Sequence, residues 1–286
     1  DPEDVDLEMM RYKPNGWPMI PMFIEAVMRN GRVPEDYDMS HLLAAGAGCE
    51  AVNNNQLDRV QEFLHKHNCN VRFTVGYGSS EGGSNLTFQM APKSVHNGNV
   101  GIPMPLNDMG VFKPGTQEEL GYNEMGEICT VGPGNMLGYD RRSATAKTLQ
   151  RHADGKIWLH TGDIGYVDED GVFYVLNRGA AFRYGGGELA VLPMENRLAD
   201  AKIKGIKDEF FVLIEDEDHD GYFVPYLYVV LEDGYKVDDI IKDVQSCLEP
   251  YMFPVEILAI DERPFFHFKT NRIELSKELK KKNHDC

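Results

Sequence analysis

Two polar segments, about eighty residues apart, carry residue types that can bind a nucleotide. The first, Tyr77-Gly78-Ser79-Ser80-Glu81, places an aromatic ring, a hydroxyl and a carboxylate on a glycine-containing turn. The second, Trp158-Leu159-His160-Thr161-Gly162-Asp163, ends in a carboxylate after a strand-like run. Together they indicate adenine stacking, phosphate and Mg²⁺ contacts, and a ribose-binding aspartate. Each segment alone also fits an ordinary turn, since glycine, serine and aspartate are common turn residues.

Predicted strands lead into the first of these segments. The apolar run Leu42-Leu43-Ala44-Ala45 predicts a buried strand that enters a tight turn at Gly46-Ala47-Gly48. Apolar residues at helical spacing follow over residues 57–64, and residues 71–75 predict a strand just before Tyr77. Strand, helix, strand is the α/β arrangement in which ligands bind beyond the carboxyl ends of the strands. The first third of the chain is therefore expected to have an α/β fold.

The pattern changes near residue 95 to short strands and frequent turn signals, such as Pro114-Gly115 and Asp170-Gly171. This pattern predicts a small β-barrel-like subdomain. The last third predicts a compact α+β domain. The expected organisation is a truncated α/β part of a large domain over residues 1–95, a β-barrel-like subdomain over 96–177, and an α+β C-terminal domain over 178–286.

Composition restricts the class of protein. A hydrophobic content of 42% with 26% charged residues is typical of a soluble globular chain, and no apolar run reaches the roughly 20 residues that span a bilayer. A net charge of −17 argues against nucleic acid as a partner. Scattered cysteines without a CxxC pair predict free thiols in a reducing, cytoplasmic compartment, with no zinc site and no disulfide framework. These are Cys49, Cys69, Cys129, Cys247 and Cys286.

An ordered series of segments resembles the motifs of one superfamily. The series comprises Gly46-Ala47-Gly48, Tyr77-Gly78-Ser79-Ser80-Glu81, residues 126–132 through Gly138-Tyr139, Trp158 to Tyr166, Asp170-Gly171 and Asn177-Arg178. In this order they are similar to the AMP-forming acyl-CoA synthetase, adenylation-domain and luciferase superfamily. Ser80 stands where that family's Tyr-Gly-x-Thr-Glu motif has threonine. The resemblance implies an adenylate-forming fold and makes the series more specific than any single motif.

The resemblance implies roles for individual residues. Tyr77 would stack on adenine, the Ser80 hydroxyl would contact the α-phosphate, and Glu81 would hold Mg²⁺. Asp163 would accept hydrogen bonds from both ribose hydroxyls, and Arg178 would reach the ribose or the phosphate. The nucleotide-binding set implied in this way is Gly46, Ala47, Gly48, Tyr77, Gly78, Ser80, Asp163 and Arg178. Gly185, Gly186 and Gly187 are similar to the loop that faces the thiol tunnel.

The C-terminal motifs depart from the family pattern. Ala180 stands where the family usually has a charged hinge residue, which puts control of the domain pivot in question. The family's catalytic lysine lies in Gly-Lys-(Ile/Val)-x-Arg. Here Lys269 and Arg272 preserve the Lys-x-x-Arg spacing without the glycine, whereas Asn271-Arg272 preserves the local shape with arginine in place of lysine. Both remain candidate catalytic cations, and Lys269 is slightly favoured.

The resemblance implies an ATP-dependent acid–CoA ligase that forms an acyl-adenylate, releases pyrophosphate and transfers the acyl group to CoA. Its cofactors would be ATP/AMP, Mg²⁺ and coenzyme A, and its partners a small carboxylic acid and a thiol. The alternatives are an adenylation domain that loads a carrier-protein thiol, and a non-catalytic binding module derived from the fold. The sequence lacks a Gly-rich, lysine-ending phosphate loop, and its start, Asp1-Pro2-Glu3-Asp4, resembles an internal cut. We therefore expect the C-terminal half of a longer enzyme, inactive on its own.

Overall fold

The computed structural model describes residues 4–89, 93–266 and 269–284. The chain divides into two compact units. Unit 1 comprises Asp1–Val52 and Gln56–Gly179, and unit 2 comprises Asn53–Asn55 and Ala180–Cys286. The regions expected to be α/β and barrel-like therefore cluster in the same unit. None of the helices in the described ranges combines the length and the apolar content that a bilayer-spanning segment requires.

Unit 1 begins with an α/β layer. Its elements are α1 (Val5–Tyr12), β1 (Gly16–Met19), α2 (Pro21–Asn30), β2 (Ala44–Ala47), α3 (Asn54–Lys66, whose first two residues cluster with unit 2) and β3 (Phe73–Val75). The strands pair in parallel in the order β1-β2-β3, which requires a crossover between neighbours. Proline opens α2 and Gly31, at φ +61°, follows its end, as expected for helix boundaries. Ile24, Leu64 and Phe73 are buried in the core of this layer.

The second strand lies two residues further along the chain than the sequence predicted. Because β2 spans Ala44–Ala47, Gly46 belongs to the strand and not to the turn, and Leu43 is 76% exposed. The parallel pairing decides this register, since Gly46 lies opposite Thr74 on β3. A Cβ atom at Gly46 would stand 2.6 Å from Thr74 Oγ1. Close approach of two strands therefore explains this glycine.

The rest of unit 1 is a hairpin and a curled sheet whose described strand pairs are antiparallel. The elements are β4 (Gly78–Ser79), β5 (Ser84–Asn85), β6 (Thr87–Phe88), β7 (Asn99–Pro103), β8 (Asp108–Phe112), β9 (Gly126–Val131), α4 (Arg142–Thr148), β10 (Leu149–Arg151), β11 (Ile157–Val167) and β12 (Phe173–Arg178). The sheet order is β6-β7-β12-β11-β9-β8, and β10 also pairs with β11. The β11–β9 register shifts between His160 and Ile164, so the second polar segment lies on a bulged strand.

Unit 2 has the α+β architecture that its sequence pattern indicates. It contains α5 (Val191–Ala201), β13 (Ile206–Glu215), β14 (Phe223–Leu231), α6 (Val237–Cys247), β15 (Ile257–Ile260), β16 (Phe265–Phe266), β17 (Lys269–Thr270) and α7 (Arg272–His284). The strands β13, β14 and β15 form one sheet. Alternate residues of β13 enter different cores: Phe211 packs in one apolar cluster, whereas Phe210 and Val212 pack in another with Leu279 of α7. This alternation follows from the period of two along a strand.

Candidate nucleotide-binding site

Asp163 is the centre of a three-residue cluster in unit 1. The Tyr77 hydroxyl donates a hydrogen bond to Asp163 Oδ2 at 2.6 Å, and Arg178 Nη1 donates to Oδ1 at 2.7 Å. Asp163 and Arg178 face each other because β11 and β12 pair at these two positions. Tyr77 lies on the loop after β3. The fold thus brings together three residues that the resemblance placed in one nucleotide site.

The surroundings of the cluster shift the pKa values of Tyr77 and Arg178. Burial, together with the Asp163 carboxylate, raises the pKa of the Tyr77 phenol well above its ordinary value, so the hydroxyl remains a donor. Burial acts to lower the pKa of Arg178, but the hydrogen bond to Asp163 and the charges of Asp163, Tyr77 and Glu81 together outweigh it, and the pKa is raised. Tyr77 and Asp163 are buried, whereas the Arg178 side chain is largely exposed. One charged group of the cluster therefore faces solvent.

A tight turn holds Asp163 in place. Gly162, at φ +73°, adopts a conformation that other residues rarely accept. The Thr161 hydroxyl donates to the Ile128 carbonyl oxygen at 2.6 Å and accepts the Asp163 N–H at 3.1 Å. Glu127 Oε1 accepts the Gly162 N–H at 3.0 Å. The turn is therefore fastened to strand β9 through a side chain on each strand.

The hairpin β4–β5 presents the rest of the first segment. Gly78 has no space for a side chain, because a Cβ atom would collide with the Ser84 backbone. Ser80 is exposed on the turn, and Glu81 Oε1 accepts a hydrogen bond from the Tyr139 hydroxyl at 2.7 Å. This bond lowers the pKa of Glu81 and raises that of Tyr139. Glu81 is thus an ionised carboxylate near neutral pH.

Tyr139 was quoted in the sequence motif but was not predicted as a site residue. Its hydroxyl reaches Glu81 across 58 residues of sequence. The short helix α4 orients it, since the Tyr139 N–H donates to Thr145 Oγ1 at 2.8 Å. The motif contained the residue, but nothing in the spacing indicated its partner.

The glycine segment Gly46-Ala47-Gly48 lies beside the Tyr77 loop. The Gly76 N–H donates to the Ala47 carbonyl oxygen at 2.9 Å, and a Cβ atom on Gly48 would lie 3.5 Å from the Gly76 oxygen. The end of β2 therefore runs alongside the residue that precedes Tyr77. The structure brings this segment next to the Tyr77 backbone, and places Gly46 itself in strand packing.

A buried cluster that the sequence did not predict lies behind the Asp163 turn. The ligand atoms of Glu127, Cys129 and His160 lie within 4.8 Å of one another and could in principle hold a metal ion. They are already paired, because His160 Nδ1 lies 2.9 Å from Glu127 Oε2 and 3.4 Å from Cys129 Sγ. Burial, and then the Glu127 charge, raises the pKa of the Cys129 thiol, which keeps it a weak ligand. The geometry favours a hydrogen-bonded cluster.

Unit 2 contains the two candidate catalytic cations. Arg272 Nη2 donates to Glu195 Oε1 at 2.9 Å, and its Nε donates to the Phe211 carbonyl oxygen at 3.1 Å. Lys269 is exposed on β17. Residues 267 and 268 of the predicted motif, and Cys286, lie outside the described residues. The four other cysteines carry free thiols.

The predicted thiol-tunnel glycines lie near residue Tyr251 of the same unit. Cβ atoms on Gly186 and Gly187 would stand 2.5 Å and 3.0 Å from atoms of the Tyr251 side chain. Gly185 has a φ of +66° and open space around it. A close side-chain contact thus accounts for two of these glycines and a turn conformation for the third.

Comparison with known proteins relates this chain to a family. The family model described as AMP-binding enzyme matches residues 1–140. The chain is 29% identical to 4-coumarate–CoA ligase 2 of Nicotiana tabacum, a match that covers 83% of this chain and 43% of the ligase. It is 32% identical to a probable 4-coumarate–CoA ligase 1 of Dictyostelium discoideum, over 61% of this chain and 32% of that protein.

The fold agrees with these matches. The ATP-bound crystal structure of MatB from Rhodopseudomonas palustris superposes with a TM-score of 0.80 at 21% identity, over 98% of this chain and 53% of that chain. The chain thus spans about two fifths of the tobacco ligase and about half of MatB. The family match, the sequence relatives and the shared fold identify the chain as a member of the AMP-forming acyl-CoA synthetase, adenylation-domain and luciferase superfamily.

Proposed function

We propose that this chain supplies the adenosine and Mg²⁺ wall of the active site of a carboxylic acid–CoA ligase. In the reaction, a substrate carboxylate attacks the α-phosphorus of ATP, pyrophosphate leaves, and a thiol then displaces AMP from the acyl-adenylate. The observation that carries the proposal is the buried Asp163 carboxylate held between Tyr77 and Arg178. Because the chain spans only part of its relatives, the complete reaction is proposed for the whole protein.

Asp163 suits a ribose diol. Each carboxylate oxygen has more than one acceptor position, so Oδ1 and Oδ2 can each accept a hydroxyl in addition to their present donors. The Tyr77 hydroxyl donates to Asp163, which holds the ring beside the carboxylate, and there the ring would stack on a base. Arg178, exposed and charged, would add a donor for a phosphate or ribose oxygen. The three residues would thus bind adenosine as one unit.

Glu81 fits Mg²⁺ chemistry. Mg²⁺ prefers carboxylate oxygen and is usually held by one or two carboxylates together with phosphate oxygens. The hydrogen bond from the Tyr139 hydroxyl lowers the pKa of Glu81, which further favours the ionised carboxylate. Ser80, exposed on the adjacent turn, would offer its hydroxyl to the α-phosphate. When bound, the metal would neutralise phosphate charge, and the chain's own contribution is to hold the carboxylate beside the Tyr77 loop.

The geometry of unit 2 favours Lys269 as the catalytic cation. Arg272 is bound to Glu195 and to the Phe211 carbonyl oxygen, so its guanidinium connects α7 with α5 and β13. Lys269 is exposed and is therefore accessible to a developing negative charge. The Lys-x-x-Arg spacing then has a physical explanation: Lys269 would stabilise the developing negative charge, and Arg272 would anchor the segment that carries Lys269.

The acceptor proposed is the thiol of CoA. The relatives named above are 4-coumarate–CoA ligases, which supports CoA over a carrier-protein thiol. Carrier loading and a non-catalytic binding role are the alternative outcomes. An assay with free CoA separates a CoA ligase from a carrier-loading domain, since a carrier-loading domain would form the adenylate but no product with CoA.

The test is acid-dependent pyrophosphate exchange by the protein at its natural length, with a panel of carboxylic acids. We expect exchange with at least one acid, a decrease of about a hundredfold or more for Asp163→Ala and Lys269→Ala, and near-normal exchange for the exposed control Glu118→Gln. Equal exchange by wild type and Asp163→Ala would show that the assigned site is wrong. A folded wild-type protein that exchanges with no acid would overturn the enzyme assignment.

A further inference from the structure

We propose that Glu127 is a positioning residue for the nucleotide site: with His160 and His152 behind it, its carboxylate holds the Gly162 turn so that Asp163 can receive the ribose hydroxyls. The part of this inference that concerns ribose binding rests on the proposed function. The structural half, that Glu127 holds the turn, is independent of any ligand.

The two oxygens of Glu127 have separate partners. Oε1 accepts the Gly162 N–H at 3.0 Å, and Oε2 lies 2.9 Å from His160 Nδ1. The Glu127 side chain is 14% exposed and that of His160 is 4% exposed, so water competes little with either bond. Burial alone would raise the pKa of Glu127, but His160 and the Gly162 N–H outweigh it and the pKa is lowered. The carboxylate is therefore a charged acceptor aimed at the turn.

His152 supports this arrangement from the far side of His160. The two Nε2 atoms lie 2.9 Å apart, so one ring donates to the other. His152 packs against Phe112, edge to face at 5.0 Å, and is stacked on Trp158 at 5.6 Å. A ring held in this way limits the rotation of His160, and His160 in turn limits that of Glu127. The chain of contacts ends at the Gly162 amide.

Hydrogen bonds hold the Gly162 turn, and the Glu127 contact is one of them. Gly162 has a φ of +73°, and the nearest atom to a Cβ placed there would be Arg178 Cζ at 4.0 Å. The side of Gly162 on which a Cβ atom would stand is therefore open. The Thr161 hydroxyl holds the turn at the Ile128 carbonyl oxygen and the Asp163 N–H, and the Gly162 carbonyl oxygen accepts the Gly179 N–H at 2.8 Å. The Gly162 N–H itself is held by Glu127, and loss of that bond would free the Thr161–Gly162 peptide, one residue before Asp163.

The first experiment needs no ligand. Amide hydrogen exchange of Gly162 is measured by NMR in this chain for wild type, Glu127→Ala, Glu127→Gln and the exposed control Glu118→Ala. We expect exchange about tenfold faster or more in Glu127→Ala, as for loss of a bond to a charged group, and a change of less than about threefold in the other two variants. Glutamine retains an acceptor for Gly162, and its amide can donate to His160. Unchanged exchange in Glu127→Ala would overturn the proposal.

The second experiment tests the link to the ribose. Binding of AMP and of 2′,3′-dideoxy-AMP is measured by calorimetry for the same variants. We expect Glu127→Ala to lose about tenfold or more in AMP affinity, with little change for the dideoxy compound, and Glu127→Gln to restore most of the preference. A wild-type preference for AMP that Glu127→Ala retains would overturn the positioning role alone. A wild-type chain that binds neither compound would instead overturn the nucleotide site and, with it, the ribose half of this inference.

A variant at His160 keeps the proposal testable if Glu127→Ala does not fold. His160→Leu removes the partner of Oε2 and leaves the Gly162 acceptor in place. We expect Gly162 exchange to rise at least about threefold and the preference for AMP over the dideoxy compound to narrow. No change in either quantity would show that His160 does not position Glu127.

Discussion

Replacing Arg272 by alanine should destabilise unit 2 far more than replacing Lys269. Arg272 donates to Glu195, whose side chain is only 4% exposed, and to the Phe211 carbonyl oxygen. The substitution leaves Glu195 as a buried carboxylate that keeps the Phe211 N–H at 2.9 Å but loses its cation. Breaking a buried pair costs about 3–5 kcal/mol, and since the Arg272 side chain is 29% exposed, we expect about 3 kcal/mol.

The assay must report on unit 2 alone. Both tryptophans, Trp17 and Trp158, lie in unit 1, so their fluorescence does not follow this transition. Hydrogen exchange with mass spectrometry of peptides from β13 and β14 measures the opening of unit 2 directly. A loss of about 3 kcal/mol corresponds to opening that is about a hundredfold more frequent. Lys269→Ala, an exposed substitution, should change the free energy of opening by less than about 0.5 kcal/mol.

Glu195→Gln gives the matched control. Glutamine keeps an acceptor for the Phe211 N–H but has no charge to leave unpaired, so adding Arg272→Ala to it should cost clearly less than Arg272→Ala alone. A cost below about 0.5 kcal/mol for Arg272→Ala in the wild-type background, or an equal cost in both backgrounds, would refute the anchoring role. The assignment of Lys269 as the catalytic cation would then lose its structural support.

Three further predictions concern unit 1, and the first two can be followed by tryptophan fluorescence. Tyr77→Phe removes the donor to Asp163 and should lower the free energy of unfolding by about 1.5–3 kcal/mol, and an unchanged urea midpoint would contradict this. Burial, and then His160, lowers the pKa of His152 below its ordinary 6.5, so the unfolded chain takes up the proton first. The stability that neutral His152 contributes should be fully present above pH 6.5 and should be lost as the pH falls through the pKa of His152 in the folded protein. His152→Phe should make the free energy of unfolding less dependent on pH in this range. An equally steep decline in the variant would exclude His152 as its source. Burial raises the pKa of the Cys129 thiol, so at pH 8 the native protein should react with iodoacetamide at the exposed Cys49 at least about tenfold faster than at Cys129. Mass spectrometry of the labelled peptides measures both rates, and faster labelling of Cys129 would contradict the prediction.

The family and the fold class could be predicted from the sequence because both depend on local patterns in a fixed order. The strand–helix–strand pattern and the motif series from Gly46 to Arg178 led to the superfamily that the comparisons confirm. The position of β2 was predicted two residues too early. Apolar content alone suggested Leu42 and Leu43 for the strand, whereas pairing with β1 and β3 selects Ala44–Ala47. Strand register is a property of two segments, so one segment does not reveal it.

The sequence by itself determined which residue types were available for a nucleotide site: an aromatic ring, a hydroxyl, two carboxylates and an arginine in a recognisable order. Only the tertiary structure decided their partners. Tyr77 meets Asp163 across 86 residues, Glu127 meets His160 across 33, and Arg272 meets Glu195 across 77. Each pairing depends on register, turn conformation and burial acting together. A hydrogen bond requires positions accurate to a few tenths of an ångström, and in a chain those positions are set only when distant segments pack.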